Sequence, residues 1–298
     1  MRYVEVGGVR VSAIGLGTWQ FGSTEWGYGR EYATSTAAAI VRRALEVSIT
    51  LIDTAEIYGI GRSERIVGEA IEGRREQVFL ASKLFPVGLP FMTGTRARAS
   101  ARRLRVDRID LYQQHWESGL FPARATMKQF GRLVEQGTIG HVGVSNHSLE
   151  AWKRCDDALG GPVMSNQVSF SLLQRAPERE LLPWAQRNGR LIIAYSPLAQ
   201  GILSGRYQES APRNFRRWSP NFGAGARARH VPLLSALRTI ARAHEATMSQ
   251  VALAWLIHKP NVVAIPGASN VDQVYENAAA ADIELDSIEV GQLDSLSG

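Results

Sequence analysis

The segment LIDTAEIYG (residues 51–59) decides the fold of this chain. A short apolar run ends at Asp53, a loop carries Tyr58, and the helical pattern SERIVGEAIEG (63–73) follows before the next apolar run, VFLASK (78–83). This order of strand, loop, helix and strand predicts a β-α-β unit, because two parallel strands need a crossover connection of a dozen or more residues. IDLYQQH (109–115) continues the alternation with a third strand.

The same alternation extends over the whole chain. Helical patterns separate the apolar runs, as at Ile40, Ala44 and Val47, and glycines such as Gly160 follow several of them. Eight strands are predicted, at residues 14–16, 51–53, 78–82, 109–113, 141–144, 165–168, 191–194 and 262–265. Eight strand-helix pairs predict a single α/β domain over residues 1–298, a (β/α)8 TIM barrel whose active site lies on the loops after the strands.

A doubly wound open sheet is the competing architecture. Its nucleotide-binding form needs G-x-G-x-x-G after the first strand, and GLGTWQFG from Gly15 lacks the third glycine. Outside the barrel pattern, YVEVGGVRVSAI (3–14) predicts a β-hairpin around Gly7 and Gly8 that plugs the other end of the barrel. Residues 205–231 predict a long loop after barrel strand 7, which is either a lid or disordered surface.

Composition restricts the function classes. The 298 residues are 45% apolar, which is enough for a large core, and the single Cys155 excludes an internal disulfide framework. Without a hydrophobic leader or an apolar run near 18 residues, the expected location is the cytoplasm and no membrane contact is expected. The net charge of +6 raises nucleic acid as a partner, but the densest cluster lacks interleaved aromatics and is interpreted as a solvated helix face. That cluster comprises Arg96, Arg98, Arg102, Arg103, Arg105 and Arg108.

Four polar residues follow three consecutive predicted strands: Asp53, Tyr58, Lys83 and His115. Adjacent strands are spaced by ~4.8 Å, so the outer two strands lie about 10 Å apart, within reach of a lysine side chain. Taken singly, each residue is compatible with a structural role. Together at one sheet edge they predict proton-transfer chemistry and therefore an enzyme.

Seven segments resemble the aldo-keto reductase superfamily and occur in that family's order: IDTAEIYGIGRSE, ASK, LYQQHW, GVSN, NQVSFSLL, YSPLAQGILSG and IPGASNVDQVYEN. The last segment is most similar to the branch with potassium-channel β subunits and related microbial reductases. The resemblance implies NADPH-dependent reduction of aldehydes or ketones. It makes Tyr58 the general acid, Lys83 the residue that eases loss of the phenol proton, Asp53 the partner of Lys83, and His115 the residue that orients the carbonyl.

The resemblance also implies a cofactor site spread over the second half of the chain. Ser145, Asn146 and Gln167 would bind the carboxamide and Tyr195 would stack on the nicotinamide. The pyrophosphate would lie against Ser196, Leu198, Gln200 and Gly201, with Arg206 neutralising phosphate. Adenosine would lie against Gly267, Ser269, Gln273, Glu276 and Asn277. Many family members carry Lys and Arg at the positions of Gly267 and Gln273, so NADPH is favoured here and NADH stays possible.

Loop aromatics are expected to form the substrate wall: Trp19, Trp26, Tyr28, Phe85 and Trp116. No metal is expected, because the six histidines form no H-x-x-x-H pair with acidic partners. Two other functions stay open. One is a redox-sensing, cofactor-binding regulatory subunit with little turnover. The other is a lyase that forms a Schiff base through Lys83, although an Asp53 partner would keep that amine protonated. The substrate expected for the reductase is a small aldehyde or ketone, and a protein partner is possible but not indicated.

Overall fold

The computed structural model describes residues 1–23, 29, 34–207, 212 and 220–297. Within them, a two-stranded antiparallel hairpin precedes an eight-stranded parallel sheet. The strands are β1 Tyr3–Val6, β2 Val9–Ser12, β3 Leu16–Gly17, β4 Leu51–Asp53, β5 Phe79–Leu84, β6 Ile109–Gln114, β7 Ile139–Ser145, β8 Ser165–Ser169, β9 Leu191–Tyr195 and β10 Val262–Ala264.

The parallel strands stand side by side in chain order from β3 to β10 and close on themselves. A parallel bridge joins Ile14 to Ala264, and the amide of Gly15 donates to the carbonyl of Ala264 at 2.8 Å. In the sheet register, Asp53 pairs with Ala81 and Lys83 pairs with Gln113. The predicted (β/α)8 barrel is confirmed, and the polar residues leave its strands at one end.

Helices cover the outside of the barrel. They are α1 Thr34–Glu46, α2 Arg62–Ala70, α3 Thr93–Leu104, α4 Ala123–Glu135, α5 Leu149–Leu159, α6 Leu181–Arg187, α7 Ala224–Ala243, α8 Met248–Ile257, α9 Val271–Ala279 and α10 Ser287–Leu296. Local signals fix several ends: the Ser148 hydroxyl caps α5, and Gly160 ends it in the left-handed conformation. On α4, Met127, Phe130 and Leu133 form the buried stripe expected of an amphipathic helix.

The N-terminal hairpin closes the amino end of the barrel, as predicted. Val6 of β1 and Val11 of β2 are buried in a cluster with inward-facing strand residues such as Leu51, Leu111 and Val263. This cluster is separate from the larger core between the sheet and the helices. The inside of the barrel is therefore packed with apolar side chains toward its base, whereas Asp53, Lys83 and Gln167 lie toward the carboxyl ends of the strands.

Two sequence expectations differ from the structure. The irregular connection after β9 was expected to reach residue 231, but α7 begins at Ala224, because AGARARHV is rich in good helix formers. The arginine cluster on α3 is not simply a solvated face. Arg96 pairs with Glu56, and Arg103 donates to the fully buried Glu64 at 2.6 Å. Helical periodicity could not show that acidic residues of the preceding β-α unit face these two positions.

In the part of the chain that the structure describes, no helix is both long and apolar enough to cross a lipid bilayer.

Candidate active site

Three neighbouring strands bring a buried ion pair and a phenol together. Lys83, at the end of β5, has no exposed surface and its Nζ donates to Asp53 Oδ2 at 2.5 Å. The same ammonium donates to the carbonyl of Thr54 at 3.0 Å and to Tyr58 Oη at 3.1 Å. All three N–H groups of Lys83 are thereby used. Because Tyr58 Oη accepts from the ammonium, the phenol O–H can donate to another group.

The loop that carries Tyr58 is anchored from behind. Ser63, buried near the start of α2, has its hydroxyl 2.9 Å from Thr54 Oγ1 and donates to the carbonyl of Thr18 at 3.0 Å. Past Tyr58, the three residues Gly59, Ile60 and Gly61 all have left-handed φ values of 56°, 56° and 75°. Ile60 is the strained member, since a β-branched residue rarely adopts this conformation, and 90% of its surface is exposed.

The second oxygen of Asp53 accepts hydrogen bonds from two glutamines. The sequence predicted neither contact, and it singled out Gln167 only as a cofactor residue and Gln113 not at all. Gln167 Nε2 on β8 donates to Asp53 Oδ1 at 2.7 Å, and Gln113 Nε2 on β6 donates to the same oxygen at 3.4 Å. All three side chains are buried. The pattern DLYQQH offered a weak signal, since a buried strand that ends in two glutamines needs polar partners inside the barrel. These donors hold the carboxylate so that Oδ2 faces Lys83.

At both Lys83 and Tyr58, burial and the neighbouring charged group shift the pKa in opposite directions. Burial acts to lower the pKa of Lys83, but the Asp53 carboxylate and the Tyr58 phenol together raise it, so the amine is held as ammonium. Burial raises the pKa of Tyr58, and the neighbouring Lys83 offsets this only in part. Lys83 therefore lowers the pKa of Tyr58, as expected, but the net shift of this pKa is upward because the phenol is buried away from water. The sequence does not reveal this burial.

His115 lies opposite Tyr58 and is neutral. Burial, assisted by the charge of Lys83, lowers the pKa of His115 to about 3. Its ring meets Tyr58 edge-on with centroids 5.8 Å apart, and it stacks on Trp116 at 6.3 Å. Nδ1 is buried without a hydrogen-bond partner among the described residues, so the proton is better placed on Nε2, leaving Nδ1 as an unused acceptor. The side chain can then donate a hydrogen bond.

A continuous groove of about 1260 Å³ opens over Tyr58 and His115 and runs along the carboxyl ends of the strands toward α9. Every residue expected to bind the cofactor lines it. These are Ser145, Asn146, Gln167, Tyr195, Ser196, Leu198, Gln200, Gly201, Arg206, Gly267, Ser269, Gln273, Glu276 and Asn277.

A model of the Aldo/keto reductase family matches residues 13–297, nearly the whole chain. The chain belongs to the aldo/keto reductase family. An uncharacterized oxidoreductase of Mycobacterium tuberculosis is 53% identical over 288 residues, covering 96% of this chain and 89% of that protein. The methylglyoxal reductase YeaE of Escherichia coli is 37% identical, covering 97% of this chain and 92% of that protein.

Solved structures agree with this assignment. An aldo/keto reductase of Klebsiella pneumoniae in complex with NADP and acetate has a TM-score of 0.81 at 34% identity, with 99% of this chain and 95% of that chain covered. The thermostable aldo-keto reductase Tm1743, solved with the inhibitor epalrestat, has a TM-score of 0.83 at 34% identity over the full length of both chains. This chain is accordingly an aldo-keto reductase and an oxidoreductase.

In this aldo-keto reductase, the middle of the groove is a connected polar network. The Tyr195 hydroxyl donates to Asn146 Oδ1 at 2.9 Å, and Asn146 Nδ2 donates to Ser145 Oγ at 3.0 Å. Ser145 Oγ donates in turn to the carbonyl of Gln167 at 2.9 Å. Asn146 is held at a φ of 59°, a conformation that asparagine tolerates better than most residues. The network presents a pre-oriented amide, hydroxyl and aromatic ring to the groove.

The turn after β9 reverses sharply beside the network. Ser196 and Gln200 have φ values of 50° and 58°, and Gly201 has 97°. The amide of Gly201 donates to the carbonyl of Leu198 at 2.9 Å, so it is not free for an anion in this conformation. Arg206 is exposed at the edge of the groove and supplies positive charge there.

The far end of the groove is formed by the start of α9. Asn270 caps this helix by accepting from the Gln273 amide at 2.9 Å, while Gln273 Oε1 accepts from the amide of Ser269 at 2.8 Å. Glu276 Oε1 accepts from Thr247 at 2.8 Å. Gln273 and Glu276 therefore have structural partners in addition to their place in the groove.

The φ of Gly267 is not in the left-handed region, so the backbone conformation does not require a glycine at this position. Space is the reason for glycine here. A Cβ atom at this position would lie 2.7 Å from Oε1 of Gln20, whose Nε2 donates to the carbonyl of Ala268 at 2.8 Å. A larger residue would have to displace this glutamine, which ties the loop after β3 to the groove.

The expected substrate wall is only partly formed by the described residues. Trp19 and Trp116 line the groove with 44% and 46% of their surfaces exposed. Phe85 does not line it; instead its ring packs edge-on against His115 at 5.9 Å. Trp26 and Tyr28 lie outside the described residues. Within those residues, no group of three or more His, Cys, Asp or Glu side chains could hold a metal ion.

Proposed function

We propose that this chain is an NADPH-dependent reductase of aldehydes and ketones in which Tyr58 is the general acid. The observation that carries the proposal is the Tyr58 hydroxyl, which borders the groove and lies 3.1 Å from a buried ammonium. A substrate carbonyl placed between Tyr58 and His115 would meet two hydrogen-bond donors at once. Such a pair favours the developing negative charge on the carbonyl oxygen.

Each residue has a separate task in this proposal. Tyr58 is protonated at neutral pH, because burial raises its pKa, and it donates its proton to the carbonyl oxygen. Lys83 stabilises the phenolate that remains, and Asp53 keeps Lys83 charged. Neutral His115 orients the carbonyl through its ring N–H. NADPH, when bound, supplies the hydride that the carbonyl carbon accepts.

Three features of the groove suit a nicotinamide dinucleotide such as NADPH. It runs without interruption from the Tyr58–His115 pair to the amino end of α9, where backbone N–H groups favour phosphate. The exposed Arg206 adds charge along it, and the network of Ser145, Asn146 and Gln167 offers amide and hydroxyl groups that suit a carboxamide. The relative from Klebsiella pneumoniae was solved with NADP. These observations support NADPH, with NADH as the alternative cofactor.

The lyase alternative is disfavoured by the geometry. A Schiff base requires an unprotonated amine that a carbonyl carbon can reach. Lys83 has no exposed surface, donates all its N–H groups to protein oxygens, and has a raised pKa. Reduction, with Tyr58 at the groove and Lys83 behind it, uses both residues as they stand.

Tyr58→Phe tests the proposal. The substitution removes only the hydroxyl, so we expect NADPH binding to persist and carbonyl reduction to fall at least about a hundredfold. The assay follows NADPH consumption against a panel of aldehydes and ketones, with NADH in parallel. Tyr275→Phe is the matched control, because Tyr275 is 66% exposed on α9. Retained activity in Tyr58→Phe would exclude the general-acid role, and tight NADPH binding with negligible wild-type turnover would favour the regulatory alternative.

A further inference from the structure

One arginine of the α3 cluster is directed at the catalytic loops and not at solvent. Arg96 donates through Nε to Glu56 Oε2 at 3.2 Å, and its Nη2 donates to Glu56 Oε1. Glu56 lies in the loop between Asp53 and Tyr58, two residues before the phenol. Its side chain is 13% exposed and that of Arg96 is 21% exposed, so solvent screens this pair only in part.

The same guanidinium also holds the next loop. Arg96 Nη2 donates to the carbonyl of Phe85 at 2.7 Å, and Nη1 donates to the carbonyl of Val87. Glu56 completes the connection from the other side, because its Oε1 accepts from the amide of Phe85 at 2.7 Å. Arg96 and Glu56, which we call the Glu56–Arg96 clamp, therefore join the loop after β4 to the loop after β5.

Both groups that face the proposed carbonyl depend on these two loops. Tyr58 belongs to the first loop, and its amide donates to the carbonyl of Ala55. The ring of Phe85, in the second loop, meets His115 at 89° with centroids 5.9 Å apart. A shift of one loop against the other would change the separation between the Tyr58 hydroxyl and the His115 ring. Misplacement by about 1 Å can reduce a reaction rate by about a hundredfold.

We propose that Arg96 and Glu56 are positioning residues that set the spacing of Tyr58 and His115, and so control the rate of the chemical step with little effect on cofactor affinity. The proposal rests on the function proposed above. Arginine is required because its planar fork serves a carboxylate and two carbonyls at once, whereas a lysine presents its donors from a single atom. The residues proposed to hold the cofactor lie at the carboxyl ends of β7 to β10, in the loops that follow and on α9, and none of them takes part in the hydrogen bonds of the clamp.

Kinetics of Arg96→Lys and Arg96→Ala test the clamp against a matched arginine on the same helix. Arg98 is exposed and has no ion pair among the described residues, so Arg98→Ala is the control. We expect kcat to fall about ten- to hundredfold in both Arg96 variants, and the NADPH dissociation constant to change less than about twofold. Arg98→Ala should match the wild type in both quantities.

Chemical rescue separates positioning from general destabilisation. Millimolar guanidinium chloride, far below denaturing concentrations, should restore part of kcat in Arg96→Ala, because a free guanidinium ion can re-form the fork between the loops. It should not raise kcat in Arg98→Ala or in the wild type. A kcat within about twofold of the wild type in Arg96→Ala, or a loss that guanidinium does not restore, would overturn the proposal.

Amide hydrogen exchange measures the effect of the Glu56–Arg96 clamp on the two loops independently of enzymatic activity. Amides of residues 54–59 and 85–92 should exchange faster in both Arg96 variants, whereas amides of β8 and β9 should not change. Unchanged exchange in either loop would overturn the clamp, whatever the kinetics show. If the wild type reduces no carbonyl compound but both loops loosen, the proposed function fails and the structural link between the loops stands.

Discussion

Removing the lysine of the buried ion pair should destabilise the whole protein, and the structure sets the scale. In Lys83→Met, the Asp53 carboxylate stays buried at 2% exposure and keeps only the N–H donors of Gln167 and Gln113. Removing one partner of a buried pair costs about 3–5 kcal/mol. Because two donors remain on the carboxylate, we expect the lower end, about 3 kcal/mol.

This free energy converts into a measurable shift in the melting temperature. Unfolding entropy is about 2.1 cal/mol/K per residue, so a chain of 298 residues loses about 5 °C for 3 kcal/mol. The assay is thermal unfolding at neutral pH, followed by far-UV circular dichroism for the wild type, Lys83→Met, Asp53→Asn and the double variant. The Asp53→Asn variant should also be destabilised, because it leaves the buried Lys83 ammonium without a negatively charged partner.

The double variant, Asp53→Asn with Lys83→Met, tests whether the two side chains stabilise the protein as a pair. With both charges removed, most of the stability lost in the single variants should be recovered. Replacing a buried ion pair by uncharged groups often changes the free energy of unfolding very little. We expect its melting temperature within about 2 °C of the wild type. If the two single losses instead add in the double variant, Asp53 and Lys83 do not act as a pair and the reasoning is wrong.

Two further predictions concern pH and backbone strain. Burial and Lys83 lower the pKa of His115 to about 3, below its ordinary value of 6.5, so the stability from its neutral form is complete above pH 6.5 and is lost as pH falls toward 3. The free energy of unfolding, measured with urea, should fall less from pH 7 to pH 5 in His115→Gln than in the wild type, with a difference of up to ~1.4 kcal/mol per pH unit. An equal fall in the two proteins would contradict this prediction. Ile60→Gly should raise the melting temperature by about 2 °C, because it releases about 1 kcal/mol of left-handed strain. The same change at Ile288 in α10, which is 79% exposed, should lower the melting temperature. A lower melting temperature for both variants would show that Ile60 carries no strain.

The chemistry-bearing residues could be predicted because they are local features of the strands that carry them. Asp53 is the last residue of β4, Lys83 is the penultimate residue of β5, and His115 directly follows β6. Parallel pairing then places these ends at one edge, whatever the details of packing. The order of β3 to β10 follows from the same alternation, since each crossover helix returns the chain to the same side.

Contacts between separate β-α units could not be predicted in this way. Arg96 and Arg98 look alike in a helical pattern, yet one is directed at Glu56 and the other is exposed. The glutamines on Asp53 depend on which inward-facing positions share one layer of the barrel. The direction of the Tyr58 pKa depends on burial, which is a property of the folded chain and not of its neighbours in sequence.

The hairpin at the base of the barrel also has a kinetic consequence. Because β1 and β2 seal the amino end, ligands of the described groove enter and leave through the same mouth. Ser145 and Gln167 are buried, whereas Trp19 and Trp116, which line the same groove, are nearly half exposed. The ligand seated deepest must therefore arrive first and depart last, so the dinucleotide and the carbonyl compound should follow a compulsory order of addition and release.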